Sequence, residues 1–125
     1  MIKFRDTPSF QKTFKKLVKK YPSLPEDLKT LKNALIEPYH TDGIDSQGIF
    51  CIQGVASQLL EAYVVKKFAC KSLKGKGVRS GIRLTYMYDP QKKTVYFVEI
   101  YHKNYQEVEN KDLLKEVVEE LSKDI

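Results

Sequence analysis

The chain has 125 residues, 42% hydrophobic and 30% charged, with a mean hydropathy of −0.45. Those proportions describe an ordinary globular domain able to fold without metals or disulfides, and they exclude a disordered or collagen-like chain. Lys and Arg outnumber Asp and Glu by 22 to 16, a net charge of +6. The basic residues gather in two stretches without acids, between Asp6 and Glu26 and between Glu61 and Asp89, so a polyanion or an acidic protein is the expected partner class. The expectation is a single domain over residues 1–125, because no linker, repeat or low-complexity stretch interrupts it. No apolar run approaches the ~18 residues of a membrane span, and Met1–Asp6 has no apolar leader segment. Cys51 and Cys70 are too few for a disulfide scaffold and read as reduced thiols, so the expected setting is cytoplasmic, with no membrane partner.

Ile2 and Phe4 alternate with Lys3 and Arg5, which predicts a short half-buried strand. Thr7 and Pro8 then form a helix start, cap followed by proline at the first helical position. Phe10, Phe14, Leu17 and Val18 make the apolar face, with Lys12, Lys15, Lys16, Lys19 and Lys20 opposite. Ser23 to Glu26 has the pattern of a capping box for a second helix carrying Leu24, Leu28, Leu31 and Leu35, which should stop before Pro38. The two helices should form an antiparallel hairpin. Residues 38–58, broken by Pro38, Gly43, Gly48 and Gly54, read mostly as loop.

From Ala62 the pattern turns to strand, running through Tyr63, Val64, Val65 and Phe68 to Cys70. A basic glycine-containing loop leads to a strictly alternating segment, Ile82–Tyr88, then a turn at Asp89–Lys93 and a third segment, Thr94–Tyr101. Short connections predict a three-stranded antiparallel meander. A C-terminal helix from about Asn110 carries Leu113, Leu114, Val117, Val118 and Leu121 on one face. The expected class is α+β: an N-terminal strand, a helical hairpin, the meander and a closing helix packed on the sheet.

Several chemistries lack their residues. His40, Asp42 and Asp45 lie close in sequence but lack the remaining ligands of a calcium loop. Cys51 and Cys70 have no CxxC partner, and Gly75-Lys76-Gly77 lacks the Walker spacing. Ser57, Ser72 and Ser80 lie in no nucleophile elbow. No metal or other cofactor is expected. What remains is a basic run from Lys66 to Arg83 that contains no acid. If Lys67, Lys71 and Arg83 share a face of paired strands, they line one side of the sheet, and Lys74, Lys76 and Arg79 extend that charge. The strand end Tyr101-His102-Lys103-Asn104-Tyr105 adds an imidazole, a cation and two stackable rings. Cations interleaved with aromatics suit single-stranded RNA. The same lysines also fit a solvated edge strand whose charge discourages aggregation.

Tyr63–Leu73, Arg79–Tyr86 and Val98–Lys103, taken with the element order, resemble the core of the RelE/ParE superfamily of type II toxin–antitoxin toxins. The resemblance implies a RelE-like fold and a ribosome-dependent endoribonuclease that cuts mRNA, inhibits translation, needs no metal, and is neutralised by a cognate antitoxin. ParE-type members act on gyrase, so the resemblance also admits a non-catalytic protein binder. It places the family's strand lysines at Lys67 and Lys71, its arginine at Arg83 and its last basic residue at Lys103. Glu109 stands where the family carries a tyrosine, with Tyr101 and Tyr105 nearby in sequence. In such a reaction the 2′-hydroxyl attacks phosphorus and the 5′-oxygen leaves, which needs a base, an acid and positive charge on the phosphorane. Clustered cations favour a neutral lysine as base while arginine stays charged, and His102 has the ordinary titration range for acid or base work.

Overall fold

The computed structural model describes residues 1–57 and 59–123. Strand β1 (Lys3–Asp6) leads into helix α1 (Pro8–Lys20), whose cap is Thr7. The Thr7 hydroxyl accepts from Phe10 N–H at 3.3 Å and donates to the Phe97 carbonyl at 2.6 Å, so one side chain both starts the helix and ties it to the sheet. Phe10 and Phe14 stack at 5.2 Å, and Phe10 meets the Phe97 ring at 5.2 Å. Helix α2 (Leu24–Leu31) follows, as the leucine spacing predicts.

The capping box does not form. Ser23 is helical in backbone and its hydroxyl instead donates to the buried Asp27 carboxylate at 2.6 Å while accepting from Ser72 N–H at 2.8 Å. Nor does the helical path stop before Pro38. A π-helical turn (Lys32–Ile36), closed by Glu37 N–H reaching the Lys32 carbonyl, delivers Pro38 into the first turn of helix α3 (Glu37–Asp42). There a missing N–H costs nothing, since first-turn amides have no intrahelical partner. Gly43, at φ +67°, ends the helix in the left-handed region.

The sheet has five strands in the order β1-β5-β4-β3-β2. β3 (Glu61–Val65), β4 (Ile82–Asp89) and β5 (Thr94–His102) form the expected antiparallel meander, and β1 lies parallel to β5. The segment read mostly as loop contributes the edge strand β2 (Ile49–Cys51), antiparallel to β3. One sheet face, including Ile82, Leu84, Tyr86 and Phe97, is covered by α1, α2 and the turn after them. The other, including Val64, Met87 and Val98, packs under Leu114 and Val117 of helix α4 (Lys111–Ser122), capped by Asn110. The architecture is the α+β class expected. No helix among the described residues is long and apolar enough to cross a membrane.

One correction bears on the site. The strand expected to reach Cys70 ends at Val65, and Phe68 keeps only an isolated bridge to Arg79. Backbone groups beyond it are satisfied elsewhere: Lys71 N–H by Asp27, Ser72 N–H by Ser23, and the Phe68 carbonyl by the Ser80 hydroxyl. With those partners the segment has no ladder to join, and strand alternation stops governing where its lysines point.

Candidate nucleic-acid interface

Arg83 on β4 lies directly across from Tyr101 on β5, on the face that α4 covers further along. Ile82 and Leu84, its neighbours, go to the opposite core as alternation requires. The Arg83 guanidinium is half-buried, and neither its Nε nor the Tyr101 hydroxyl has a hydrogen-bond partner among the described residues. Burial, reinforced by Glu109 and Glu99 and opposed by Arg83, pushes the Tyr101 phenol up to about 12, so it stays a proton donor at neutral pH. Buried donors without partners are costly, and a site that awaits an anion is one reason to keep them.

Arg83 opens into a cavity of about 390 Å³ lined also by Lys66, Lys67, Arg79, Gly81 and Lys103. A second cavity, of about 320 Å³, lies beyond Arg79 and Lys103, which line both, and is bounded by Lys20, Lys76, His102 and Tyr105. The two are lobes of one basic surface. Among the described residues no carboxylate lies within ion-pair distance of these cations; the ion pair that does form is Lys71 with Glu26, at 2.8 Å. Lys66 is further placed by Phe50 of β2, its Nζ standing 5.2 Å from the ring centroid.

The structure thus brings Lys67, Arg83, Lys103 and Arg79 together, with Lys76, His102 and Tyr105 at the adjoining lobe and Tyr101 beneath Arg83. It does not bring Lys71 into either lobe. With the strand ended at Val65, the Lys71 ammonium turns to Glu26 on α2 and borders a third cavity of about 120 Å³, which meets the Arg83 cavity at Lys67 and Val78. Lys74 is exposed and lines neither lobe.

His102 is buried, and both ring nitrogens are engaged with backbone: Nδ1 accepts from Asn104 N–H at 3.1 Å and Nε2 lies 3.0 Å from the Ser80 carbonyl. That pairing requires the proton on Nε2. Burial, aided by Lys20, Lys103 and Lys76 against the Ser80 bond, holds the ring below its ordinary value and therefore neutral at pH 7. Gly81 is obligatory here: its φ is +84°, and a Cβ would stand 2.8 Å from His102 Nε2. His40 belongs to a different place, stacked on Tyr88 at 4.0 Å between centroids, with Nε2 2.7 Å from the Tyr86 hydroxyl.

Lys66 and Lys20 line the two lobes, and pattern reading passes over both. Lys66 lies inside the basic run but next to Lys67, so alternation assigns it to the other face. Lys20 ends a helix whose lysines all read alike, and only the tertiary contact of the α1 C-terminus with the segment after β5 sets it apart.

No family model matches the chain, and the curated proteins give no match. Among solved structures it is similar to the archaeal RelE–RelB complex from Pyrococcus horikoshii OT3, with a TM-score of 0.47 and 13% identity over 82% of this chain and 94% of that one.

Proposed function

We propose that the chain is a RelE-like toxin: a metal-independent endoribonuclease that cuts mRNA on the ribosome and is held inactive by a cognate antitoxin. The observation that carries this reading is the convergence of Lys66, Lys67, Arg79, Arg83 and Lys103 on one cavity, with a half-buried arginine free of any acid partner among the described residues. The motifs of Arg79–Tyr86 and Val98–Lys103 supply the family resemblance that turns a phosphate site into this particular proposal.

In the proposed reaction, a strand lies in the cavity with its scissile phosphate against Arg83. The 2′-hydroxyl oxygen bonds to phosphorus as its proton passes to solvent water, the bond to the 5′-oxygen breaks, and the products are a 2′,3′-cyclic phosphate and a 5′-hydroxyl. Arg83 bears the growing charge on the non-bridging oxygens, the role for which a fixed, permanently charged fork is suited. Lys67 and Lys103 flank it, and either ammonium can deliver a proton to the leaving oxygen. His102 serves as a positioning residue, because its nitrogens already hold Ser80 and Asn104. Lys71 has no part in this scheme.

The second reading, a non-catalytic protein binder of ParE type, is favoured by two observations: Glu109 stands in place of the family tyrosine, and His102 has no free nitrogen. Mapping RNA 5′ ends after brief induction separates the two. Cleavage predicts new ends within translated messages that vanish with Arg83→Ala. Growth arrest without new ends overturns the nuclease reading in favour of the binder.

A further inference from the structure

Tyr105 is 74% exposed, an unusual place for a large ring, yet it is not loose. Its backbone N–H donates to the His102 carbonyl at 3.0 Å, and its ring meets His102 edge-on at 6.1 Å between centroids. Lys20 Nζ lies 2.6 Å from the phenolic oxygen and stands over the ring 4.7 Å from its centroid, toward the hydroxyl end, while most of the residue's surface stays exposed. The contact spans 85 residues of sequence and fastens the end of α1 to the segment after β5. The tyrosine hydrogen bond holds the Lys20 ammonium above its ordinary value, so the clamp is charged throughout the neutral range.

We infer that the second lobe is a base-stacking subsite for single-stranded RNA, in which a nucleobase next to the scissile phosphate lies on the Tyr105 ring that Lys20 holds in place. The inference rests on the RNA reading proposed above and adds the residue that grips the neighbouring nucleotide. The lobe volume of about 320 Å³ falls at the small end of small-molecule pockets, roughly 300–1,000 Å³. A strand passing between the lobes goes by Arg79 and Lys103, which flank its backbone from both sides. Clamping the ring beforehand removes rotamer freedom that stacking otherwise has to freeze, and a fixed ring next to backbone cations is the combination that holds single strands.

The test is equilibrium binding of the full chain to a short single-stranded oligoribonucleotide carrying 2-aminopurine, and to the same strand with abasic positions. Tyr105→Ala is expected to weaken binding of the intact strand about ten- to hundredfold, the range for one lost stacking contact. Tyr105→Phe should keep most of the affinity and the 2-aminopurine quenching, and Lys20→Ala should fall between. On the abasic strand Tyr105→Ala should change nothing. Equal losses on both strands, or no loss on either, overturn the subsite while leaving the cavity at Arg83 intact. Failure of the unaltered protein to bind either strand, or binding indifferent to Arg83→Ala, overturns the RNA reading and this inference with it.

Discussion

Arg83 and Lys71 are both basic and both belong to the run between Lys66 and Arg83, yet the structure gives them opposite fates. Arg83 is half-buried beside other cations, while Lys71 is exposed and paired at 2.8 Å with Glu26. Arg83→Ala should therefore lower the RNA cleavage rate by about 10²–10³, the cost of removing one fixed donor to a developing oxyanion. Lys71→Ala should stay within severalfold of the parent in the same assay. Arg83 was legible because strict alternation with Ile82 and Leu84 fixes its face; Lys71 was not, because alternation was carried past the end of the strand.

His40 makes a second residue-scale prediction. Burial holds its ring down at about 4, against about 6.5 for an unhindered histidine. Between those values the unfolded chain binds a proton that the folded one refuses, so this group costs stability as pH falls through that window and contributes nothing above it. Thermal unfolding from pH 7 to pH 4 should show a steeper decline for the parent than for His40→Phe. Parallel curves would show that the ring does not titrate this way.

At the scale of elements, the long connection between β3 and β4 is held by backbone turns, such as Leu73 N–H to the Cys70 carbonyl and Arg79 N–H to the Lys76 carbonyl, and by side chains, not by a continuous ladder. The Asp27 carboxylate accepts from the Ser23 hydroxyl at 2.6 Å and from Lys71 N–H at 3.1 Å, and Ser23 in turn holds Ser72. Hydrogen bonds to a charged group contribute about 1.5–3 kcal/mol each, so Asp27→Ala should lose a few kcal/mol in chemical denaturation. It should also weaken RNA binding, since the same connection carries Lys67 and Arg79. A full loss of stability with binding unchanged below the transition would separate the latch from the site. The meander and the helix starts were readable because each rests on local periodicity or local capping chemistry. Two features had no local signal: β2, whose three residues offer no alternation, and the π-turn before Pro38, which is set by how the helix continues beyond it. The Ser23–Glu26 pattern misled because Asp27, one residue further on, is buried and needs the same hydroxyl.

Over the whole molecule the charge is sorted. Helix α1 exposes Lys12, Lys15, Lys16 and Lys19 and leads through Lys20 into the basic lobes, whereas α4 exposes Asp112, Glu116, Glu119 and Glu120 against Lys111 and Lys115, a net negative surface. The net charge of +6 alone is common among globular proteins; the proposed RNA reading rests instead on its concentration around two joined cavities. Binding to single-stranded RNA should weaken steeply with salt, with a log–log slope of roughly −2 to −4 for a handful of phosphate contacts. Arg83→Ala should make that slope shallower, and Tyr105→Ala should not.

The most direct test is to incubate purified protein with mRNA-programmed ribosomes and determine the chemistry of the RNA ends. A strand held by the Arg83 cavity and cut by its own 2′-hydroxyl leaves fragments with 2′,3′-cyclic phosphate and 5′-hydroxyl ends, absent with Arg83→Ala and retained with Lys71→Ala. Intact message, or the same fragments from Arg83→Ala protein, would contradict the account.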